Sequence, residues 1–391
     1  MLQGKKVLLG VSGGIAAYKA LELASRLTKA GATVQAVLTE GAQRFVTPLG
    51  FAAITDQPVH TSLWADDDPI PHIRLPEWAD VFVIAPATAD VLSRLATGAG
   101  SDLLSACVLS APCPVLLVPA MNVRMYANPA VQDNLATLRR RGFIVMQPDS
   151  GHLACGTTGR GRLPAPAEIV PWVATVAQHR RDLEGLRVLV SAGACRESLD
   201  PMRYLSNHSS GRMGLALARA AHIRGAQVQL VHAHMSEPSP EYIAATQAMT
   251  AEAMFRKVTA RAVDADIVLM AAAVTDYTFA TTHEQKLKKG DDLRLEMTRT
   301  VDILEHLGRS KPDGQLLVGF AAESENILTS GEQKRARKGC DFLAANDLRV
   351  AGAESTTIEW IGEHGHETLA GSKLAVANAM LSRLLTARES L

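Results

Sequence analysis

The sequence lacks the features by which membrane proteins, disulfide-rich proteins and nucleic-acid-binding proteins are commonly recognised. Forty basic side chains balance forty acidic ones, so no net charge favours a nucleic acid or an anionic membrane. No apolar run approaches the length of a signal peptide or a membrane span. The five cysteines are scattered without a CxxC pair, which argues against a zinc site and a disulfide framework. We therefore expect a cytoplasmic protein that binds neither nucleic acid nor membrane.

What the sequence does contain is the pattern of a parallel α/β protein, and this pattern occurs twice. The 391 residues suffice for two domains of about 190 residues each. Short β-branched runs alternate with helical patterns, as is typical of parallel sheets. The run 79–86 is echoed by 265–272, and matched landmarks of the two halves lie 180 to 194 residues apart. We predict two doubly wound, Rossmann-like α/β domains with a boundary near residue 186.

In the first half, polar and small residues follow the predicted strands where a ligand is expected. A strand, the turn Ser12-Gly13-Gly14 and a helix start make an anion site, because glycine and unpaired helix amides let a phosphate approach. The segments 86–90 and 119–126 follow two further strands at their carboxyl ends. No G-x-G-x-x-G run is present, so we predict a mononucleotide pocket and not a dinucleotide one.

Three residues of this half are candidates for chemistry. Asn122 has an amide that suits a carboxylate, although a turn asparagine is the alternative. His72 is a possible catalytic group or a structural histidine. Cys155 lies among four glycines and two arginines in 151–163, which indicates a mobile basic flap whose thiol favours the thiolate form. The alternative for Cys155 is an inert cysteine in an exposed loop.

Four segments of this half together resemble the flavin-dependent cysteine decarboxylases: Gly10–Lys19, Ala85–Asp90, Pro119–Tyr126 and Ala154–Arg162. The resemblance covers most of residues 1–186 and implies a flavodoxin-like flavoprotein domain, a phosphopantothenoylcysteine decarboxylase. It also implies the cofactor FMN, held by Ser12, Gly13, Gly14, Thr39, Thr88 and Ser105. One departure is Ser101, which stands where that family commonly has asparagine.

The resemblance also implies a reaction sequence and a role for each candidate residue. FMN oxidises the carbon that bears sulfur, the resulting thioaldehyde allows loss of CO2, and the ene-thiolate is then reduced to 4'-phosphopantetheine. His72 promotes the first half of this sequence, while Asn122 holds the carboxylate and Met121 contacts the substrate. Cys155 donates the proton that the last reduction needs.

The second half carries a different set of polar motifs. The run 207–211 enters a helix and offers amide, hydroxyl and backbone donors to a phosphate, or serves only as a helix cap. Asp276 follows a buried strand and suits a ribose or Mg2+. The clusters 284–289 and 333–338 are basic, and they either neutralise a triphosphate or are solvated faces.

These motifs resemble the phosphopantothenate–cysteine ligases over nearly all of residues 187–391. The matching segments are Asp200–Gly214, Ala272–Tyr277, Lys286–Lys289, Gly319–Glu323 and Ala345–Asp347. The resemblance implies that the carboxylate of 4'-phosphopantothenate attacks CTP, which gives an acyl-cytidylate and pyrophosphate. The amine of cysteine then displaces CMP.

The resemblance assigns roles in this ligation as well. Asn207 stabilises the acyl-cytidylate, Lys286 neutralises phosphate charge, and Arg203 contacts the substrate. Mg2+ is expected with the nucleotide, near Asp276. The implied CTP-binding residues are Met270, Ala271, Ala272, Asp276, Lys286, Val301, Asp302, Ile303, Leu304, Phe320, Lys334 and Lys338. Three of the departures from the usual pattern are Cys195, Met270 and Val301, where the family commonly has threonine, glycine and proline.

Together the two halves resemble the fused bacterial enzymes that ligate cysteine to 4'-phosphopantothenate and then decarboxylate the product. That resemblance implies trimer contacts through the decarboxylase and dimer contacts through the ligase, hence a large homo-oligomer. Two other classes compete: a flavoprotein that acts on peptidyl cysteine or only binds a partner, and an NAD-dependent oxidoreductase with twin Rossmann domains. The motifs around Asn207 and Lys286 argue against the first, and the missing G-x-G-x-x-G runs argue against the second.

Overall fold

A computed structural model describes residues 2–64, 69–152, 156–179, 181–240, 242–288, 294–323, 327–347 and 355–389. The chain divides into two compact units, Met1–Arg180 and Arg181–Leu391. Each unit is built on a largely parallel sheet with helices around it, which confirms the predicted α/β class. Within the described ranges, no helix combines the length and the apolar character that a membrane crossing requires.

The first unit contains a six-stranded parallel sheet. Its strands are β1 (Lys6–Val11), β2 (Thr33–Leu38), β3 (Val59–His60), β4 (Val81–Ala87), β5 (Val115–Pro119) and β6 (Ile144–Val145). They lie in the order β3-β2-β1-β4-β5-β6. Without the two-residue edge strand β3, this is the 2-1-3-4-5 order of flavodoxin-like sheets. Every residue of β4 is buried, because helices cover both faces of a central parallel strand.

Nine helices and a small hairpin complete the described part of this unit. The helices are α1 (Tyr18–Lys29), α2 (Glu40–Gln43), α3 (Pro48–Thr55), α4 (Pro71–Trp78), α5 (Ala89–Thr97), α6 (Leu103–Ser110), α7 (Val123–Tyr126), α8 (Pro129–Arg140) and α9 (Pro166–His179). The hairpin consists of β7 (Asp149–His152) and β8 (Thr158–Arg162), which pair antiparallel.

The second unit contains an eight-stranded sheet and two short ribbons. Its strands are β9 (Arg187–Ala192), β10 (Arg196–Ser198), β11 (Tyr204–Ser206), β12 (Gln227–His232), β13 (Ala244–Gln247), β14 (Ile267–Met270), β15 (Tyr277–Phe279), β16 (Met297–Arg299), β17 (Leu316–Glu323), β18 (Phe342–Asp347), β19 (Ser355–Gly362) and β20 (Gly365–Ser372). Its helices are α10 (Arg212–Ile223), α11 (Ala251–Ala262), α12 (Ile303–Ser310), α13 (Ile327–Lys338) and α14 (Lys373–Glu389). The sheet order is β13-β12-β9-β14-β17-β18-β19-β20, and only β19 and β20 run antiparallel to their neighbours.

The two units share a detail where their first and fourth parallel strands begin. In the first unit, the Lys6 amide donates to Asp80 Oδ2 at 2.8 Å, and the Asp80 amide donates back to the Lys6 carbonyl at 2.8 Å. In the second unit, Arg187 and Asp266 exchange the same two bonds, again at 2.8 Å. In each sheet the chain reverses its winding between these strands, and ligands of such sheets bind at the carboxyl ends there.

Candidate active sites

The larger candidate site is a cavity of about 1230 Å3 at the carboxyl ends of β1, β2, β4 and β5. Small-molecule sites commonly measure about 300–1,000 Å3, so this cavity has room for a cofactor and a substrate together. Seven of the residues predicted for FMN or substrate line it: Ser12, Gly13, Gly14, Thr39, Thr88, Met121 and Asn122.

The Ser12 hydroxyl joins the turn after β1 to the end of β4. It donates to the Pro86 carbonyl at 2.7 Å and accepts from the Thr88 amide at 3.1 Å. On the other side of the turn, a Cβ placed on Gly13 would lie 2.6 Å from the Gly41 carbonyl carbon. Glycine is therefore required for this close approach of two backbones. The turn is consequently held from both sides in a shape that leaves the cavity open to an anion.

Ser105 does not line the cavity but caps the helix beside it. Its hydroxyl and its amide lie 2.6 Å and 2.8 Å from Asp102 Oδ1, which begins α6. Arg94 donates to Asp102 Oδ2 at 2.6 Å, and both Arg94 and Asp102 line the cavity. Burial opposes the charge on Asp102, but the bonds from Ser105 and Arg94 outweigh it and lower the pKa of the carboxyl. Arg94 and Asp102 were not predicted as site residues. Asp102 could have been found as a helix cap, because it stands three residues before Ser105 at the start of α6.

One end of the cavity is formed by the Met121–Asn122 segment and the β7–β8 hairpin. Asn122 caps α7, and its Oδ1 accepts from the Arg124 amide at 2.8 Å. The Nδ2 hydrogens of such an amide are the donors that a carboxylate needs. The Met121 amide donates to the Gly161 carbonyl at 2.9 Å, and a Cβ on Gly161 would lie 2.4 Å from the Met121 oxygen. The hairpin therefore packs directly on the segment predicted to bind substrate.

Cys155 lies outside the described residues, between the two strands of this hairpin. Of the four cysteines in the described part of the chain, none lines the cavity. The hairpin also contributes His152 and Arg162 to the lining, close to Lys19. Burial, followed by the charge of Arg162, lowers the pKa of Lys19. Arg162 belongs to the basic flap predicted from the sequence, whereas Lys19 and His152 were not predicted as site residues; together these side chains suit an anionic ligand.

His72 is not brought to this cavity by its own chain. It lies in the first turn of α4, and its carbonyl accepts a bond from the Ser110 hydroxyl of α6. The lining of the cavity does not include it among the described residues. The structure of one chain therefore does not join His72 to Asn122 and the Ser12 turn.

The second candidate site is a cavity of about 330 Å3 at the carboxyl ends of β14 and β17. Most residues predicted to bind CTP line it: Met270, Ala272, Asp276, Val301, Asp302, Ile303, Leu304, Phe320, Lys334 and Lys338. Two predicted residues, Ala271 and Lys286, are not in its lining. The lining also contains Thr300, which was not predicted, and Thr275 and Arg337, which lie in predicted motifs but were not named as CTP-binding residues.

An ion pair between the buried Lys338 side chain and the partly exposed Asp302 side chain forms one wall of this second cavity. The Lys338 ammonium contacts the Asp302 carboxylate and lies 3.2 Å from Glu305 Oε2. Asp302 also begins α12, where its Oδ1 accepts from the Glu305 amide at 3.0 Å. Burial opposes the charge of Asp302, but Lys338 and this cap outweigh it and lower its pKa. In the described part of the chain, no three or more His, Cys, Asp or Glu side chains are grouped to hold a metal ion.

Asn207 lies at the rim of the second cavity. Its Nδ2 donates to the Val274 carbonyl at 3.0 Å, and Val274 is part of the cavity lining. Arg203, at the start of the same ribbon, binds Asp200 and the Leu287 carbonyl, the latter at 2.7 Å. Leu287 follows Lys286, so Arg203 and the Lys286 segment are neighbours. Asn207 thus contacts the lining of the cavity, while Arg203, four residues before it, contacts the residue after Lys286 across a long stretch of sequence.

Two parallel-sheet units, each with a cavity at the carboxyl ends of its strands, are typical of a two-domain α/β enzyme. Residues 1–178 match the family described as Flavoprotein, and residues 183–387 match the family described as DNA/pantothenate metabolism flavoprotein C-terminal domain.

Curated relatives match nearly the whole chain. The coenzyme A biosynthesis bifunctional protein CoaBC of Escherichia coli (strain K12) is 44% identical over 353 residues, covering 89% of this chain and 87% of that protein. Its counterpart in Bacillus subtilis (strain 168) is 41% identical over 396 residues, covering 98% and 97%. A crystal structure of the C-terminal domain of a CoaBC protein is 33% identical, with a TM-score of 0.47, and covers 54% of this chain and 100% of that chain.

The chain therefore belongs to the family of bifunctional coenzyme A biosynthesis proteins. It is an enzyme with a phosphopantothenoylcysteine decarboxylase activity and a phosphopantothenate–cysteine ligase activity.

Proposed function

We propose that residues 1–186 carry an FMN-dependent decarboxylase and residues 187–391 a CTP-dependent ligase. The observation that supports this proposal is that residues predicted from separate motifs line a common cavity in each of the two units. The substrates are 4'-phosphopantothenate, cysteine and CTP, and the final product is 4'-phosphopantetheine. Ligation comes first, because its product is the substrate of the decarboxylase.

In the decarboxylase, the Ser12-Gly13-Gly14 turn and Thr88 hold FMN in the large cavity. When bound, FMN supplies two-electron redox chemistry to the carbon that bears sulfur. Asn122 donates to the substrate carboxylate, and Met121 packs against the substrate. Lys19 and Arg162 provide positive charge for anionic groups at the hairpin end of the cavity. Cys155 holds the proton that the ene-thiolate carbon receives.

In the ligase, the cavity at β14 and β17 takes CTP, with Lys334, Arg337 and Lys338 facing its phosphates. Asn207 stabilises the acyl-cytidylate from the rim, where its amide is already held by the Val274 carbonyl. Lys286 neutralises phosphate charge as pyrophosphate leaves. Mg2+ enters with the nucleotide next to Asp276.

We further propose a homo-oligomer with trimer contacts through the decarboxylase and dimer contacts through the ligase. His72 lies outside the cavity lining of its own chain, so a trimer contact is the route by which it reaches a cavity of a neighbouring copy. Sedimentation of the intact protein measures the oligomer, and a monomer with full decarboxylase activity would contradict this role.

Gly13→Ala tests the flavin site without relying on turnover. The added Cβ would meet the Gly41 backbone at 2.6 Å, so the turn must move and we expect FMN affinity to fall on the order of 10-fold or more. The measurement is a fluorescence titration of the apoprotein with FMN. Gly100→Ala is the matched control, since its Cβ would be close only to the end of the exposed Leu109 side chain, at 3.1 Å, and in ordinary contact with Ala106 at 3.7 Å. Equal FMN affinity of wild type and Gly13→Ala would contradict the assignment.

Lys286→Gln tests the ligase and the independence of the two activities. The change removes a cation that meets the leaving pyrophosphate, so CTP-dependent ligation should fall on the order of 100-fold. Decarboxylation of supplied phosphopantothenoylcysteine should be unchanged, and both rates are measured by mass analysis of products. Lys257→Gln, on α11 of the same unit, is the control. An equal fall in both activities would show that the two units do not work separately.

A further inference from the structure

Asp200 has a buried carboxylate that accepts five hydrogen bonds. Its Oδ1 accepts from the amides of Met202 and Arg203, both at 2.8 Å. Its Oδ2 accepts from Arg203 Nε at 2.9 Å, from Arg203 Nη2 at 2.6 Å and from the Leu287 amide at 3.1 Å. Only 3% of the residue is exposed. Burial opposes its charge, yet these bonds hold the pKa of the carboxyl well below its usual range.

The same contacts hold the peptide that follows Lys286. Arg203 Nη2 donates to the Leu287 carbonyl at 2.7 Å, so both backbone groups of Leu287 are bound by one ion pair. The segment before it also lies along the chain near Asp200, because the His283 amide donates to the Leu199 carbonyl at 2.8 Å. We call Asp200, Arg203 and Leu287 the Asp200 clamp. It joins two parts of the chain 87 positions apart.

We propose that Asp200 is a positioning residue of the ligase reaction, which fixes the Arg203 guanidinium and the backbone at Lys286 in one arrangement. This inference rests on the proposed ligase roles of those two residues. Lys286 itself is exposed, and a loosely held backbone at this residue would lose conformational freedom when its cation meets a phosphate. A backbone that is pinned at the next residue reduces that cost and places the cation before the substrates bind.

A purely structural role for Asp200 makes a different prediction. Loss of a structural tie would lower the melting temperature and reduce every parameter of the ligase together. Loss of positioning should act on the groups that the clamp holds. None of the three clamp residues lines the CTP cavity, so the KM for CTP should stay the same while kcat and the KM for 4'-phosphopantothenate change.

The experiment uses the full chain and the variant Asp200→Asn, which keeps the size of the side chain and removes its charge. We expect kcat/KM for 4'-phosphopantothenate to fall on the order of 10- to 100-fold, with an unchanged KM for CTP and unchanged decarboxylation. The double variant with Lys286→Gln should lose less than the product of the two single losses, because the residues act together. Glu367→Gln is the control: it removes the charge of a carboxylate that also binds an arginine, Arg383 at 2.8 Å, but lies outside the clamp and is more exposed.

Arg203→Lys provides a second test should Asp200→Asn not fold. The Arg203 side chain is 44% exposed, and lysine keeps the charge but lacks the planar fork that joins Asp200 to Leu287. Trypsin should then cleave after Lys286 or Lys288 faster than in the wild type. The positioning role would be overturned if trypsin cleaved Arg203→Lys no faster than the wild type. It would also be overturned if Asp200→Asn had wild-type ligase kinetics while Lys286→Gln was impaired. Ligation that needs no CTP would instead refute the proposed nucleotide. The cleavage test would still show whether the Asp200 clamp holds the segment around Lys286.

Discussion

Cys155→Ser should release CO2 from phosphopantothenoylcysteine and yet fail to produce 4'-phosphopantetheine. Oxidation and CO2 loss use the flavin cavity and Asn122, whereas only the last step needs a proton from the thiol. A serine hydroxyl has a far higher pKa than a thiol, so it is a poor donor at the same position. We expect formation of 4'-phosphopantetheine to fall on the order of 1000-fold, with the oxidised ene-thiol in its place. A single-turnover experiment with product analysis by mass measures both species.

The two strands that flank residues 153–155 lie beside the segment predicted to bind substrate. These strands pair with each other, and β8 packs on Met121 through the bond from the Met121 amide to Gly161. Cys113→Ser is the matched control, since Cys113 belongs to the same unit and is outside the cavity lining. Formation of 4'-phosphopantetheine by Cys155→Ser at the wild-type rate would reduce Cys155 to an ordinary loop cysteine.

Asn207→Asp should abolish most of the ligase activity while FMN binding and decarboxylation remain normal. The Asn207 amide donates to the Val274 carbonyl at 3.0 Å, and a carboxylate oxygen at the same place would repel it. The new negative charge would also face an anionic acyl-cytidylate. Removal of one such stabilising donor commonly costs about 100- to 1,000-fold in rate, and the added repulsion makes the upper end the expectation.

Asn207→Ala separates the two causes in that prediction. Alanine removes the donor without adding charge, so its loss of ligation should be smaller than that of aspartate. The measurement is CTP-dependent coupling of cysteine to 4'-phosphopantothenate, with the flavin absorption spectrum as a check on the first unit. Full coupling by Asn207→Asp would mean that Asn207 only caps the rim of the cavity.

The central strands of both sheets could be predicted because burial on both faces leaves a continuous apolar run. The run 79–86 covers all but the last residue of β4, and its counterpart 265–272 contains β14. The antiparallel pair β19 and β20 was not predicted. β20 has only one fully buried residue, Leu369, among exposed and half-buried ones, so it carries neither a continuous run nor a clean alternation.

Site residues that directly follow a strand were accessible to sequence reasoning, because parallel strands end at one edge of their sheet. Ser12 and Thr88 are of this kind, since they directly follow β1 and β4. Groups that act through tertiary contacts were not accessible. Asp200 reaches Leu287 across 87 positions, and Arg94 reaches Asp102 from a different helix. No local pattern marks either contact, since both depend on how the elements pack.

The exchange of bonds between Lys6 and Asp80, and between Arg187 and Asp266, has a consequence for the sites at the other end of the strands. Side chains alternate between the two faces of a strand. A slip of one residue in the pairing of β1 with β4 would therefore move every side chain of β4 to the opposite face of the sheet. The aspartate binds only one amide and thereby selects the correct pairing. The pairing that is fixed at the start of β4 also determines which residue follows its end, where the Thr88 amide donates to the Ser12 hydroxyl. In both units, a polar pair that never touches a substrate thus sets the alignment of the active site.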